Sequence, residues 1–305
     1  MRLGPQSNNR PGRVIIAASA ACIALLVAFS NGLLRGQLPG GYSQTPATGG
    51  TPNPPGESPP NDESNAKKSD DNGAQKKDEK SAENKEENFN IYGQATVISQ
   101  WNGQFRSPYS GPHSFRSEDD LATSETSTLE MGLRLWGVGE LYFDPEISGG
   151  RGLSDVFGMA AFPNGDIQRV GKPAPTPYVA RLYVAETIGF GGEQEKIESG
   201  PNALAGSRDV SRLTVYLGKF AAEDFFDGNA YSHDARSQFM NWALEYNAAW
   251  DYPADVRGYT YGGVVELNQA NWAFRYGLFA EPLVANGPNL DPHFDVAHGQ
   301  AWELE

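Results

Sequence analysis

Two groups of residues have the types and spacing to do chemistry. The first is an acidic stretch, 224–242, where Asp224, Asp227 and Asp234 accompany His233 and Arg236. Two carboxyls about 5–9.5 Å apart across a cleft would make a glycosidase. One acidic stretch fixes no such distance, and the chain has neither a Gly-x-Ser-x-Gly elbow nor a His-Glu-x-x-His helix. His293 and His298 are five residues apart, off the spacing of one helical face, with Pro292 just before them and Asp295 between them. Hydrolase and metal readings gain little from this, and no cofactor motif is present.

The second group is Glu130, Arg134, Glu140, Arg181, Arg212, Glu266 and Arg275, and its spacing is more informative. Each falls on the alternate face of an apolar run. Leu129, Met131, Leu133 and Leu135 alternate with Thr128, Glu130, Gly132 and Arg134. Leu213, Val215 and Leu217 alternate with Arg212, Thr214 and Tyr216, and Trp272, Phe274, Tyr276 and Leu278 with Ala273, Arg275 and Gly277. Tyr259, Tyr261, Val265 and Leu267 alternate with Thr260, Gly262, Glu266 and Asn268, while 140–144, 91–98 and 180–188 give shorter or weaker versions. Period two means strands. They are separated by turn signals at 163–166, Gly191-Gly192, Asp227-Gly228-Asn229 and 252–255. Seven strands are predicted, with an eighth if 300–304 begins another.

A soluble sandwich would put the apolar face in a dry core. A membrane barrel would put it in lipid and the charged face in a lumen. The mixed signs on the alternate face favour the barrel. So do the aromatic strand ends, where Trp101, Trp136, Phe143, Phe220, Tyr259, Tyr261 and Trp272 suit an interfacial girdle. An exported sandwich that binds sugar, tethered by the preceding segment, stays open as the alternative.

The rest of the chain sets the context. Arg10 and Arg13 precede an apolar run over 14–29, and Ala28-Phe29-Ser30 offers small residues for cleavage, so 1–30 reads as an export signal. An uncleaved anchor is the plainer alternative. Residues 31–88 are first Pro/Gly-rich and then Lys/Glu-rich, with no Val, Ile, Leu or aromatic residue over 61–88. Such a segment cannot bury enough apolar surface to order itself and reads as a disordered linker. That leaves 89–305 as one all-β domain. Its lack of cysteine (Cys22 lies in the apolar run) excludes a disulfide framework. The net charge of −14 argues against a nucleic-acid partner.

Several stretches resemble the carbohydrate-selective porins of the OprB family. They are Asn90-Ile91-Tyr92-Gly93-Gln94-Ala95-Thr96, Glu140-Leu141-Tyr142-Phe143-Asp144-Pro145-Glu146 and Arg212-Leu213-Thr214-Val215-Tyr216-Leu217-Gly218-Lys219-Phe220. Ser232-His233-Asp234-Ala235-Arg236-Ser237-Gln238-Phe239-Met240-Asn241-Trp242-Ala243-Leu244 and Gly258-Tyr259-Thr260-Tyr261-Gly262 continue the series. The resemblance implies an antiparallel outer-membrane barrel of roughly sixteen strands, of which this chain would be the N-terminal half. It implies passive diffusion of mono- or oligosaccharides, outer-membrane lipid as the surroundings, and a homo-oligomer as such porins often form. Glu130, Arg134, Glu140, Arg181, Arg212, Glu266 and Arg275 would then offer hydrogen bonds to sugar edges. Tyr142, Tyr183 and Tyr216, on the same face, would offer stacking surfaces. The 224–242 loop, with Asp227, His233, Asp234 and Arg236, would fold inward as a constriction.

Overall fold

The computed structural model describes residues 86–109, 114–155, 163–167, 174–242, 244–245, 250–285, 287–293 and 298–305. The expected export signal, and all of the linker up to residue 85, lie outside these.

Among the described residues ten strands follow one another: β1 (Phe89–Asn102), β2 (Asp120–Trp136), β3 (Gly139–Gly150), β4 (Thr176–Gly189), β5 (Gln194–Ile197), β6 (Gly206–Asp209), β7 (Arg212–Phe220), β8 (Thr260–Gln269), β9 (Trp272–Ala280) and β10 (His298–Leu304). Eight form one sheet in the order β1-β2-β3-β4-β7-β8-β9-β10, and β5 and β6 form a separate hairpin. Every pairing is antiparallel. The sheet is not closed: β1 and β10 are its two edges.

Burial is reversed relative to a water-soluble sheet. On β2 the polar Ser124, Thr126 and Thr128 are buried, while Leu129 and Leu133 are 48% and 42% exposed. Ile147, Val265, Trp272, Phe274 and Trp302 on other strands are exposed in the same way, whereas Asp144, Glu146, Thr214 and Thr260 are buried. Leu133, Leu217 and Leu278, which a sandwich would bring together in a dry layer, belong to no common core. The alternating apolar residues therefore face outward, as in a membrane barrel.

The buried cluster lies on the opposite, inner face. Tyr142, Tyr183, Ala185, Phe220, Val264 and Phe279 of the strands meet Ala222 and Phe226 from the β7–β8 connection. Phe279 packs edge-to-face on Phe220 and Phe226, with ring centroids 6.1 and 5.9 Å away. This corrects two girdle expectations. Phe220 is fully buried inside. Tyr259 turns inward, 6.2 Å from the Tyr178 ring and 5.5 Å beneath the Arg181 guanidinium. Phe220 shares the inward parity of Arg212, Thr214 and Tyr216 on β7, whereas Tyr259, just before β8, follows the long inward loop rather than the strand parity.

The connections differ between the two ends of the sheet. One end carries the long segments 103–119, 151–175, 221–259 and 281–297. The other carries the tight turns 137–138 and 270–271, together with the 190–211 connection that holds β5 and β6.

If Phe279 holds the inner cluster, Phe279→Ala should lose about 3–5 kcal/mol of folding stability. The outward Val265→Ala should lose much less in detergent micelles. Urea unfolding of the two variants in micelles checks this.

Candidate functional site

The strand register puts all ten expected wall residues on the inner face. Arg134 lies opposite Glu140, Tyr142 opposite Tyr183, Asp144 opposite Arg181 and Glu266 opposite Arg275. The charged cross-strand neighbours are ion-paired as well as adjacent. Arg134 meets Glu140 at 3.2 Å, and Arg275 meets Glu266 at 2.5 Å and Glu303 at 2.8 Å. Arg212 meets Glu195 of β5 at 2.9 Å. The Asn268 amide, oriented so that its oxygen accepts from Arg212 (2.6 Å), donates to Glu266 (3.2 Å). A continuous polar ribbon thus runs Glu195–Arg212–Asn268–Glu266–Arg275–Glu303 along one end of the inner face.

A cavity of about 1410 Å³ opens over this face. Its lining includes Glu130, Arg181, Tyr183, Arg212, Tyr216, Glu266 and Arg275. Arg134, Glu140 and Tyr142 are not part of it. Arg134 instead donates to the Glu87 carbonyl (3.0 Å), and Glu140 accepts from the Tyr142 hydroxyl (2.7 Å).

The tyrosines correct the expectation of stacking surfaces. Tyr142 and Tyr183 are only 3% and 6% exposed. Their rings pack on each other at 5.1 Å, and Tyr183 packs on Phe220 at 5.9 Å. Tyr216 is half-buried and lies 4.6 Å from the Phe225 ring. Loop residues that sequence parity does not reveal cover these faces.

The 221–259 connection folds inward, and its four expected residues divide into different roles. Asp227 and His233 line the cavity. Asp234 organises its own turn, accepting from the Arg236 amide (2.9 Å) and the Ser237 hydroxyl (2.7 Å). Arg236 reaches across to Asp166 of the 151–175 connection (2.6 Å) and to Glu146 (3.1 Å), Gln94 (3.1 Å) and Thr128 (3.3 Å) on the far strands. Burial opposes its charge, but Asp166 and Glu146 outweigh this and hold the guanidinium above its ordinary range. Arg236 therefore anchors the loop rather than offering a solute contact. Asp224 grips Arg181 with both oxygens, at 2.8 and 2.5 Å. It too is occupied structurally, so Asp224 and Asp234 are not a free acid–base pair.

Glu223 is a group that the sequence did not single out. It is 4% exposed, and burial pushes its carboxyl up to about 8. Asp224 adds to that shift, while Tyr252 and Arg181 work against it. Asn202, Glu195 and Arg208 of the 190–211 connection also line the cavity. The signals that could have found them were Gly191-Gly192 and Ser199-Gly200-Pro201-Asn202, which bound a short Glu195/Ile197 alternation. Among the described residues, no His/Cys/Asp/Glu group is arranged to hold a metal ion.

A sheet with an apolar outer face, an ion-paired inner face and inward loops is the wall of a β-barrel pore. A sequence model of the carbohydrate-selective porins of the OprB family matches residues 113–303, and the chain belongs to that family of transport channels. Among solved structures, the high-pH structure of Pseudomonas putida OprB is similar at a TM-score of 0.43 and 14% identity, over 71% of this chain and 47% of that one. The chain thus spans about half the length of that protein. No curated protein sequence matches the chain.

Two outcomes follow for the inward loop. Arg236→Ala leaves Glu146 and Asp166 buried without their cation, which should cost ~3 kcal/mol or more of docking. Limited proteolysis within 221–259 should accelerate accordingly. Glu223 has a folded-state pKa raised above its unfolded value, so its stabilising effect is complete at low pH and is lost as pH rises through about 8. Proteolysis of the parent loop should therefore quicken between about pH 4.5 and about pH 8 and then level off, and Glu223→Gln should flatten that dependence.

Proposed function

We propose that this chain forms the wall of an outer-membrane channel for passive diffusion of carbohydrates, mono- or oligosaccharides. The observation that carries this reading is the reversed burial. Leucine, isoleucine and tryptophan face outward, and ion-paired arginine and glutamate face a wet cavity. Hydrocarbon is the surrounding that favours such an outer face.

The inner ribbon suits a neutral polar solute. Its arginines are matched by carboxylates, so the wall presents closely spaced donors and acceptors. A sugar hydroxyl both donates and accepts, and exchanges with wall water at each pair. No single contact is tight enough to stop flux. Glu130, Arg181, Tyr216, Glu266 and Arg275 are the wall contacts, with the buried Arg212 bracing Glu195 and Asn268 behind them, and Asp227 and His233 are the loop contacts. In this reading the long-loop end faces outside and the short-turn end faces the periplasm. Residues 1–30 direct export and residues 31–88 act as a spacer beneath the membrane, with outer-membrane lipid around the strands and a homo-oligomer as the assembled form.

Reconstitution tests the proposal. In planar bilayers the protein should give discrete conductance steps that maltose or glucose partly blocks. Partition into buffer without detergent would overturn the reading. Sugar binding without conductance would favour a tethered sugar-binding module instead.

A further inference from the structure

The 190–211 connection departs from its neighbours. It lies at the end where the other two connections are tight turns, yet its tip is laid on the inner face well away from that end. The Asn202 amide donates to Asp144 Oδ2 (3.0 Å), and the Tyr183 hydroxyl donates to Asn202 Oδ1 at 3.5 Å. Asp144 is five residues along β3 from Gly139, which at ~3.3 Å per residue places the tip roughly 16 Å from that end of the strand.

The sequence is suited to this placement. Asn202 has a φ of +54°, the left-handed conformation that asparagine tolerates better than most residues. Leu204 is 3% exposed and docks over Gly132, where a Cβ would come within 3.1 Å of its side chain. The Asn90 amide donates to the carbonyls of Ala203 (2.8 Å) and Gly200 (3.2 Å). Glu87 and Ala205 are doubly bonded: the Glu87 amide donates to the Ala205 carbonyl, and the Ala205 amide to the Glu87 carboxylate, each at 2.9 Å. At the base, Glu195 joins Arg208 (2.7 Å) to Arg212 (2.9 Å).

Two loops from opposite ends therefore meet at one place. Arg181 lies opposite Asp144 and 3.6 Å from its carboxylate. Asp224 reaches Arg181 from the long-loop end, and Asn202 reaches Asp144 from the short-turn end. Pro201, Asn202, Asp224 and Phe225 all line the same cavity.

We propose that the 190–211 hairpin is a second constriction element and that Asn202 is a specificity-determining position, narrowing the path of a neutral sugar from the short-turn side. This rests on the channel reading above. Asn202 presents an uncharged amide beside the Arg181–Asp224 pair, where a solute hydroxyl meets a donor, an acceptor and the loop from the other end within one short stretch.

The test uses the full chain in planar bilayers, with Cys22 replaced by serine so that Asn202→Cys carries the only thiol. A cationic methanethiosulfonate reagent added to both chambers should lower the current about twofold or more. A second variant, with residues 199–203 replaced by Gly-Gly, should conduct more than the parent and show weaker maltose block. If either variant leaves both conductance and maltose block at the parent level, the constriction is overturned while the channel stands. A parent protein that gives no conductance removes the channel reading itself, and the constriction with it.

Discussion

An antiparallel strand gives each residue one of two faces, and everything else in this structure follows from which face the apolar residues take. On β2 the outward row from Leu129 through Leu133 to Leu135 is exposed, and the row carrying Ser124, Thr126 and Thr128 is buried. At about 25 cal/mol per Å² of apolar surface kept from water, such a row is a liability in buffer and an advantage in hydrocarbon. The inner face then has to satisfy a large number of polar groups. Strand pairing does this for the backbone. For the side chains it requires partners of opposite charge, water or inward loops, and the structure uses loops and charge pairs extensively.

The charge pairs serve two purposes, and exposure separates them. Around Arg236, the Glu146 and Asp166 side chains are 4% and 3% exposed. Around Arg275, Glu303 and Glu305 are 28% and 68% exposed. The first group is shut away and fixes one loop to β3 and to the 151–175 connection; losing one partner would leave an uncompensated buried charge. The second stays in contact with the cavity and can exchange its hydrogen bonds with water or solute. A list of arginines and glutamates on one face cannot make this distinction, because the two groups have the same composition.

Strand parity was legible in the sequence, because it is a local property. The alternation of Leu213, Val215 and Leu217 with Arg212, Thr214 and Tyr216 fixed both β7 and the inward side of its charged residue. The start of β2 was not legible. The pattern suggested residue 128, but the strand begins at Asp120. There the outward residues are Thr123, Glu125 and Ser127, so no apolar alternation marks it. Parity puts Tyr142 and Tyr183 on the inner face but says nothing of their covering, because Phe220 and the loop residues Ala222 and Phe226 close over them from elsewhere in the chain. Arg236 stands out in the sequence as a charged loop residue. Its partners Asp166 and Glu146 are 70 and 90 residues away in sequence, and no local pattern connects them. The β5–β6 hairpin escaped because two four-residue strands among glycines look like a loop.

The covering of the tyrosines bears on how the channel would discriminate between solutes. With Tyr142 and Tyr183 withdrawn into the inner cluster, ring stacking has little surface on which to act. Recognition then falls on the ribbon from Glu195 to Glu303 and on the junction of Arg181, Asp224 and Asn202, which the buried Asp144 holds in place. A small ion passing these pairs competes with charge-assisted hydrogen bonds already made between guanidinium and carboxylate. A neutral sugar can instead bridge the outer edges of each pair, donating to one side and accepting from the other without separating them. On the proposed reading, selection thus depends on the solute's capacity for paired hydrogen bonds more than on its charge, and it requires the loops from both ends to hold the path narrow enough for those bridges to form.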